Sequence, residues 1–141
     1  MRKSSYLLSW TFLIVAAASL PARAEGDPVK GAEVFEEVCG VCHQIGADAE
    51  NLVGPILNGV IGRKAGTYEE FEYGDSMAEA GTKGLVWDEE KILSYLPNPS
   101  EFLQKFLDDE DADSVMPPPE FEEEQDRLHL IAYIKTFKDE N

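Results

Sequence analysis

The apolar positions of this 141-residue chain fall into short helical periods, separated by one long stretch that has none. Val29, Ala32, Phe35, Val38, Cys39 and Cys42 recur at steps of three and one, with Glu33, Glu36 and Glu37 on the other side. That spacing predicts an amphipathic helix over 28–42 with both cysteines at its C-terminal end. Asp27-Pro28 suits its start, an acid at the cap followed by proline at the first helical position. Asp88 is expected to cap a second helix, whose apolar face is Ile92, Leu93 and Leu96 and which Pro97 ends. Ser100 is expected to cap a third, carrying Phe102, Leu103, Phe106 and Leu107. A last helix over 122–138 turns Leu128, Ile131, Ile134 and Phe137 inward.

Between these elements, from Gln44 to Gly84, glycine stands at 46, 54, 59, 62, 66, 74, 81 and 84. Few periodic runs fit, so the stretch reads mostly as loop. A loop of that length is unusual in a compact domain unless it serves a function. A large bound group for it to wrap would account for it. The expectation is an all-α fold of three to four short helices and a long glycine-rich loop, with no convincing strand and no internal repeat.

Residues 1–24 differ from the rest. Arg2 and Lys3 precede an uncharged, largely apolar run from Tyr6 to Leu20, and Pro21 and Ala22-Arg23-Ala24 follow. That is the layout of a secretory signal cleaved after Ala24. The run is shorter than the roughly 20 residues that cross hydrocarbon comfortably, so a retained anchor is the weaker alternative. Residues 25–141 are then the one mature domain. An exported compartment also permits disulfides.

Charge narrows the function. Twelve basic residues face 28 acidic ones, a formal net charge of -16, and removing residues 1–24 takes away only cations. Nucleic acid would be repelled. Two cysteines cannot build a multi-disulfide scaffold. Both belong to Cys39-Gly40-Val41-Cys42-His43, the C-x-x-C-H pattern of covalent haem attachment. Thiols three apart sit about one helical turn apart and reach the two vinyl groups on one side of a haem. His43 then lies under the iron as an axial ligand. A C-x-x-C disulfide, a redox dithiol and a metal site with His43 are the alternatives. The dithiol motif usually opens a helix after a strand, whereas here the pair closes a helix.

A family resemblance rests on motifs spread over residues 26–138. Gly31 and Phe35 precede the C-x-x-C-H pattern; Gly54-Pro55-Ile56-Leu57-Asn58-Gly59 and Gly62-Arg63-Lys64-Ala65-Gly66 come after it. Then come Phe71-Glu72-Tyr73, Trp87, Tyr95-Leu96-Pro97-Asn98-Pro99, Met116, and Arg127 with Leu130-Ile131-Ala132-Tyr133-Ile134. In this the chain resembles the class I c-type cytochromes, the group of mitochondrial cytochrome c and bacterial cytochromes c2 and c550. The resemblance implies the cytochrome c fold around one covalent haem c. Cys39 and Cys42 would carry the thioethers, and His43 and Met116 would bind the iron. The Pro55 carbonyl would orient His43. Arg63, Tyr73 and Trp87 would hydrogen-bond the haem propionates, and Tyr95 would sit near the Met116 sulfur. Gly31, Phe35, Leu130 and Tyr133 would form the crossing of the first and last helices. Met77, in the glycine-rich loop, is expected in a core or surface role, and His129 on the solvent side of the last helix.

The chain departs from the family at the methionine. Pro118 stands where an aromatic residue is common, Ser114-Val115 where a threonine-lysine pair is common, and the family's ring of lysines is missing. What the resemblance implies is a soluble periplasmic monomer that carries one electron between a donor and a terminal acceptor. It would not be an enzyme transforming a small-molecule substrate, and it would meet membranes only through partner complexes. Asp108–Asp113 and Glu120–Glu124 flank Met116, so the expected redox partner has a basic docking face. A merely solvated acidic surface, suited to a saline habitat, is the alternative.

Overall fold

Pro28 opens helix α1 (Pro28–Val34), and the Asp27 side chain accepts a hydrogen bond from the Val29 N–H at 2.8 Å, as the sequence pattern expects. The computed structural model describes residues 25–137; the expected export segment 1–24 and the last residue of the last expected helix lie outside the described residues. After Val34 the helix widens into one π-helical turn (Phe35–Cys39), in which the Gly40 N–H donates to the Phe35 carbonyl at 2.7 Å. Such a turn inserts one residue into the helical ladder and is common at functional sites. Here it leaves Cys39 buried at the helix end.

The remaining helices are α2 (Asp75–Thr82), α3 (Glu89–Tyr95), α4 (Pro99–Leu107) and α5 (Glu124–Ile134). Among the described residues five α-helices therefore stand where three to four were expected. The addition is α2, inside the glycine-rich stretch. There only Met77, Ala78 and Ala80 offer apolar side chains between Gly74 and Gly81, too few and too small to show a period. Around it the arms of the loop pair by backbone. Gly62 and Ala65 donate to the Trp87 and Leu85 carbonyls, and the Trp87 N–H donates to Arg63, at 2.8–2.9 Å. One isolated antiparallel bridge, Lys64 with Val86, is the only β-type pairing among the described residues.

Two helix starts differ in detail from expectation. Asp88 caps α3, its side chain accepting from the Lys91 N–H at 2.8 Å. Asn98, rather than Ser100, caps α4, because Pro99 occupies the first helical position and the Asn98 side chain accepts from Glu101. Helix α5 is shorter than 122–138, starting where the Asp126 side chain accepts from the Glu123 N–H at 3.0 Å.

The core is anchored where α1 crosses α5. Gly31 is buried there: a Cβ on it would lie 2.0 Å from the His129 carbonyl oxygen and 2.7 Å from the Tyr133 Cβ. Only glycine lets the two backbones approach so closely. Phe35 packs on Tyr133 with ring centroids 5.7 Å apart, and Leu130 is buried beneath them. The expected crossing of Gly31, Phe35, Leu130 and Tyr133 thus forms. Val29, expected on the inner face, is 71% exposed, because Gly31 and Phe35 set the phase of the contact. His129 is half-buried rather than turned to solvent. Its Nδ1 accepts from the Asp27 N–H at 2.7 Å and ties the start of α1 to α5.

Candidate functional site

Between the end of α1, the glycine-rich loop, α3 and the segment around Met116 lies a largely apolar cleft. It encloses about 1240 Å³ of space free of protein atoms, part of it open to solvent. Cys39, Cys42 and His43 line one side, Ser114 and Met116 belong to its lining further along the chain, and Arg63, Tyr73, Trp87 and Tyr95 contribute as well. All the side chains expected to touch a cofactor therefore border a single cavity, and Pro55 borders it too.

His43 is fixed from both ends. Its N–H and that of Cys42 donate to the Cys39 carbonyl at 2.9 and 3.0 Å, closing the turn after the π-helical residues. Its ring Nδ1 donates to the Pro55 carbonyl at 2.7 Å. A carbonyl only accepts, so the proton sits on Nδ1 and the neutral ring keeps a lone pair on Nε2. Burial holds the His43 pKa below its ordinary value; nearby Arg63 pushes the same way, and the Pro55 bond opposes both. The neutral ring is the form that binds a metal. Gly54 passes against the imidazole so closely that a Cβ would lie 2.3 Å from Cε1, and its N–H donates to Cys42 at 2.8 Å.

Cys39 and Cys42 form no disulfide with each other. Burial, and then the neighbouring Cys42, pushes the Cys39 thiol up to about 12. Before any attachment Cys39 is therefore a neutral S–H in an apolar wall, not the reactive thiolate of a redox dithiol.

Met116 has a different kind of support. Its N–H donates to Ser114 Oγ at 3.1 Å, and that oxygen shares a hydrogen bond of 2.9 Å with the Tyr95 hydroxyl. The Ser114 N–H donates in turn to Ser100 Oγ at 3.0 Å. Tyr95 therefore acts on the methionine segment through Ser114. Burial raises the Tyr95 pKa, and the Ser114 bond moderates the rise.

At another wall, Arg63 Nη2 donates to the Ile56 carbonyl at 2.9 Å, and the guanidinium lies 5.2 Å from the centre of the Tyr68 ring. Tyr73 meets Phe71 edge-on at 4.9 Å, and burial raises its pKa. Trp87 is buried, edge-on to Tyr95 at 5.1 Å and stacked with Phe102 at 5.8 Å. The backbone pairing of 62–65 with 85–87 brings Arg63 and Trp87 to one wall.

Several contributors have roles that the sequence pattern does not assign to them. Ser100 and Ser114 are one group. Asn58 is another: it accepts from the Gly46 N–H and donates to the Gly46 carbonyl, both at 2.9 Å, clamping the chain after His43 to the chain after Pro55. Met77, expected in a core or surface role, lines the cleft from α2.

A flat iron porphyrin suits these walls. The apolar lining accepts the ring, the two thiols lie one helical turn apart, and one nitrogen and one thioether sulfur border the same space. Glycine at 54 leaves room against the imidazole. Comparison with known proteins agrees. The family model described as "Cytochrome c" matches residues 28–138. Cytochrome c2 iso-1 of Rhodospirillum centenum is 46% identical over 118 residues, covering 80% of this chain and 98% of that protein. Cytochrome c2 of Cereibacter sphaeroides is 41% identical, covering 86% and 89%. The solved structure of cytochrome c2 from Rhodospirillum centenum superposes with a TM-score of 0.74 at 44% identity, over 80% of this chain and 99% of that one. The chain thus belongs to the cytochrome c family, as a class I c-type cytochrome similar to the bacterial cytochromes c2, and it carries one covalently bound haem c with its iron.

Proposed function

We propose that this mono-haem electron carrier works as a soluble periplasmic protein, moving single electrons between a respiratory, photosynthetic or dehydrogenase donor and a terminal acceptor through a His/Met-ligated iron. The observation that carries the reading is the Nδ1 bond from His43 to Pro55, which leaves Nε2 as the free donor at a cavity that Met116 also lines. In this reading Cys39 and Cys42 would hold the group covalently, as thioethers. His43 and Met116 would both hold the iron, which would leave it no position for a substrate, so the protein is a carrier rather than an enzyme. Arg63, Tyr73 and Trp87 would meet the propionates, where Arg63 would supply the compensating charge.

The bound group supplies the ferric/ferrous couple. The chain supplies its setting. A thioether ligand favours the ferrous state, and the buried, apolar walls disfavour the extra charge of the ferric one, so both raise the potential. The held Met116 segment keeps the same ligand in both states, which limits reorganisation on electron transfer.

Export is supported by the pattern of residues 1–24, with cleavage after Ala24. No helix among the described residues is long and apolar enough to cross a membrane. The partner is a redox protein with a basic docking face, which the exposed acids around Met116 complement; the carrier itself is a monomer.

The test is the absorption spectrum of the exported protein, with N-terminal sequencing of the periplasmic fraction. Expected are sharp low-spin bands on reduction, the far-red band of methionine-ligated ferric haem on oxidation, and a mature chain starting at Glu25. A high-spin spectrum, or a far-red band that persists in Met116→Ala, would overturn the ligand set.

A further inference from the structure

The clamp behind His43 is built from a chemically reactive pair. Of the asparagines at 51, 58, 98 and 141, only Asn58 precedes a glycine. The backbone nitrogen that follows an asparagine can attack the side-chain amide carbon, and glycine obstructs that approach least because it has no Cβ.

The fold requires both residues. Gly59 takes a left-handed φ of 61° in a turn that the Val60 N–H closes on the Leu57 carbonyl at 3.1 Å, a conformation that favours glycine. Gly46 offers Asn58 both an N–H and a carbonyl, each at 2.9 Å, so the side chain there must accept and donate at once. An amide does this and an ionised carboxylate does not.

The fold also blocks the reaction that the pair invites. Attack requires the Gly59 nitrogen to lose its proton and turn toward Cγ of Asn58. Gly59 is buried, and its N–H donates to the Phe137 carbonyl at 2.7 Å. Phe137 is itself placed by α5: its N–H donates to the Ile134 carbonyl at 3.1 Å and its ring meets Tyr133 edge-on at 5.0 Å. The Asn58 amide is held by Gly46. Nucleophile and leaving group are thus both engaged elsewhere, and they stay so only while α5 is docked.

We propose that Asn58 is a latent modification site, masked in the folded holoprotein and open to spontaneous deamidation whenever the chain unfolds. The Gly59 nitrogen bonds to Asn58 Cγ, the Cγ–Nδ2 bond breaks, and the side-chain nitrogen leaves as ammonia with the Gly59 proton. Water then opens the resulting succinimide to aspartate or isoaspartate; nothing is oxidised or reduced. An aspartate there sets a carboxylate oxygen against the Gly46 carbonyl, and an isoaspartate lengthens the turn by one methylene. Gly46 lies three residues after His43 and Asn58 three after Pro55, so either product weakens the tie between the two segments that the His43–Pro55 bond joins. A chain left unfolded loses the means to rebuild the imidazole side.

The test uses the holoprotein, incubated at mildly alkaline pH either folded in buffer or unfolded in guanidinium chloride. Peptide mapping by mass spectrometry follows Asn58, with released ammonia as a second readout and Asn51 as the internal comparator. Asn58 is expected to convert in the unfolded portion and at least about a hundredfold more slowly in the folded one, because reaction requires opening of the core. At intermediate denaturant the rate should track the unfolded fraction. Asn58→Gln should suppress the ammonia release. On dilution from denaturant, aged protein should refold with a lower denaturant midpoint than fresh protein taken through the same cycle. Asn58→Asp should melt about 8 °C below the parent, since one clamp bond is lost and a carbonyl is left facing a charge. Equal rates in folded and unfolded protein, or conversion at Asn58 no faster than at Asn51, would overturn the masked site. Aged protein with the midpoint of fresh protein would overturn its consequence for the fold.

Discussion

The two sides of the cavity hold His43 and Met116, the proposed iron ligands, by different means. His43 is held directly. A ring hydrogen bond to Pro55, backbone bonds to Cys39 and the close passage of Gly54 all act on the imidazole or its own turn. These partners lie within a dozen residues along the chain. Met116 is held at second hand. Its backbone leans on Ser114, which leans on Tyr95 of α3 and Ser100 of α4, while Pro117 to Pro119 stiffen the chain beyond it. No hydrogen bond fixes the methionine side chain. The imidazole side is thus over-determined locally, whereas the thioether side depends on two helices keeping their places. A softer ligand on a relayed support is the side expected to yield first under stress.

The largest expected effect comes from removing that softer ligand. Met116→Ala should abolish the far-red band and lower the midpoint potential by on the order of 0.2 V, because axial-ligand identity spans about 0.8 V across haem proteins. Voltammetry and the ferric spectrum check it. The fold should survive, since the core at the α1–α5 crossing is untouched. A protein that loses its fold with Met116 would show that the two sides are less separate than their hydrogen bonds suggest.

The next effect strikes the other side. In Gly54→Ala the new Cβ would fall 2.3 Å from the His43 ring, and the Cys42–Gly54 bond prevents the backbone from retreating. A clash against such a pinned group should cost about 3 kcal/mol. The expected signs are low holoprotein yield and a lower denaturant midpoint. Here stability and haem content should fall together, whereas Met116→Ala should separate them. A Gly54→Ala protein with parental stability would mean that the imidazole has freedom that its hydrogen bonds do not imply.

The same asymmetry decides what the sequence can reveal. The His43 side is legible because its determinants are contiguous: Cys39 to His43, then Gly54-Pro55. The Asp27-Pro28 and Asp88 caps are legible for the same reason. At α4 the pattern favours Ser100 as the cap, although Pro99 marks the first helical position and so points to Asn98. Ser100 is free of capping duty and instead receives the Ser114 N–H, a pairing 14 residues apart that no local pattern encodes. Periodicity places Val29 inside because it counts apolar side chains, whereas the crossing is built on Gly31, which has none. Helix α2 leaves no period to read because its inner face is little more than Ala80, fully buried, with Met77 beside it. Local chemistry declares itself in sequence; supports that reach between elements do not.

The Ser114 relay allows a finer test of the methionine side. Ser114→Ala leaves the Tyr95 hydroxyl and the Met116 N–H without their partner. Stranding a buried hydroxyl of this kind should cost about 2 kcal/mol. The far-red band should weaken at lower temperature than in the parent. The variant Tyr95→Phe adds a pH signature. Burial raises the Tyr95 pKa, so the folded protein keeps the phenol proton longer than the unfolded chain does. The stability this represents is complete below the ordinary phenol value of 10.0 and is lost as pH rises beyond it. Melting curves above that value should therefore fall less steeply in Tyr95→Phe than in the parent. Identical alkaline slopes would remove Tyr95 from the support of Met116.

The smallest effect comes from a contact that touches neither side of the cavity. His129 Nδ1 accepts from the Asp27 N–H at 2.7 Å, at the entry to α1. His129→Ala deletes one partly exposed hydrogen bond, worth about 1 kcal/mol, and should lower Tm by about 4 °C. Asn in the same place offers an acceptor oxygen of similar reach and should recover part of the loss. The reduced spectrum, the far-red band and the potential should all match the parent, because α1 reaches the site only through the π-helical turn beyond it, at Cys39. A shift in potential in His129→Ala would mean that strain at the start of α1 travels along the helix to Cys39. The π-helical turn would then be a coupling element between fold and cofactor rather than a local adjustment of the helix.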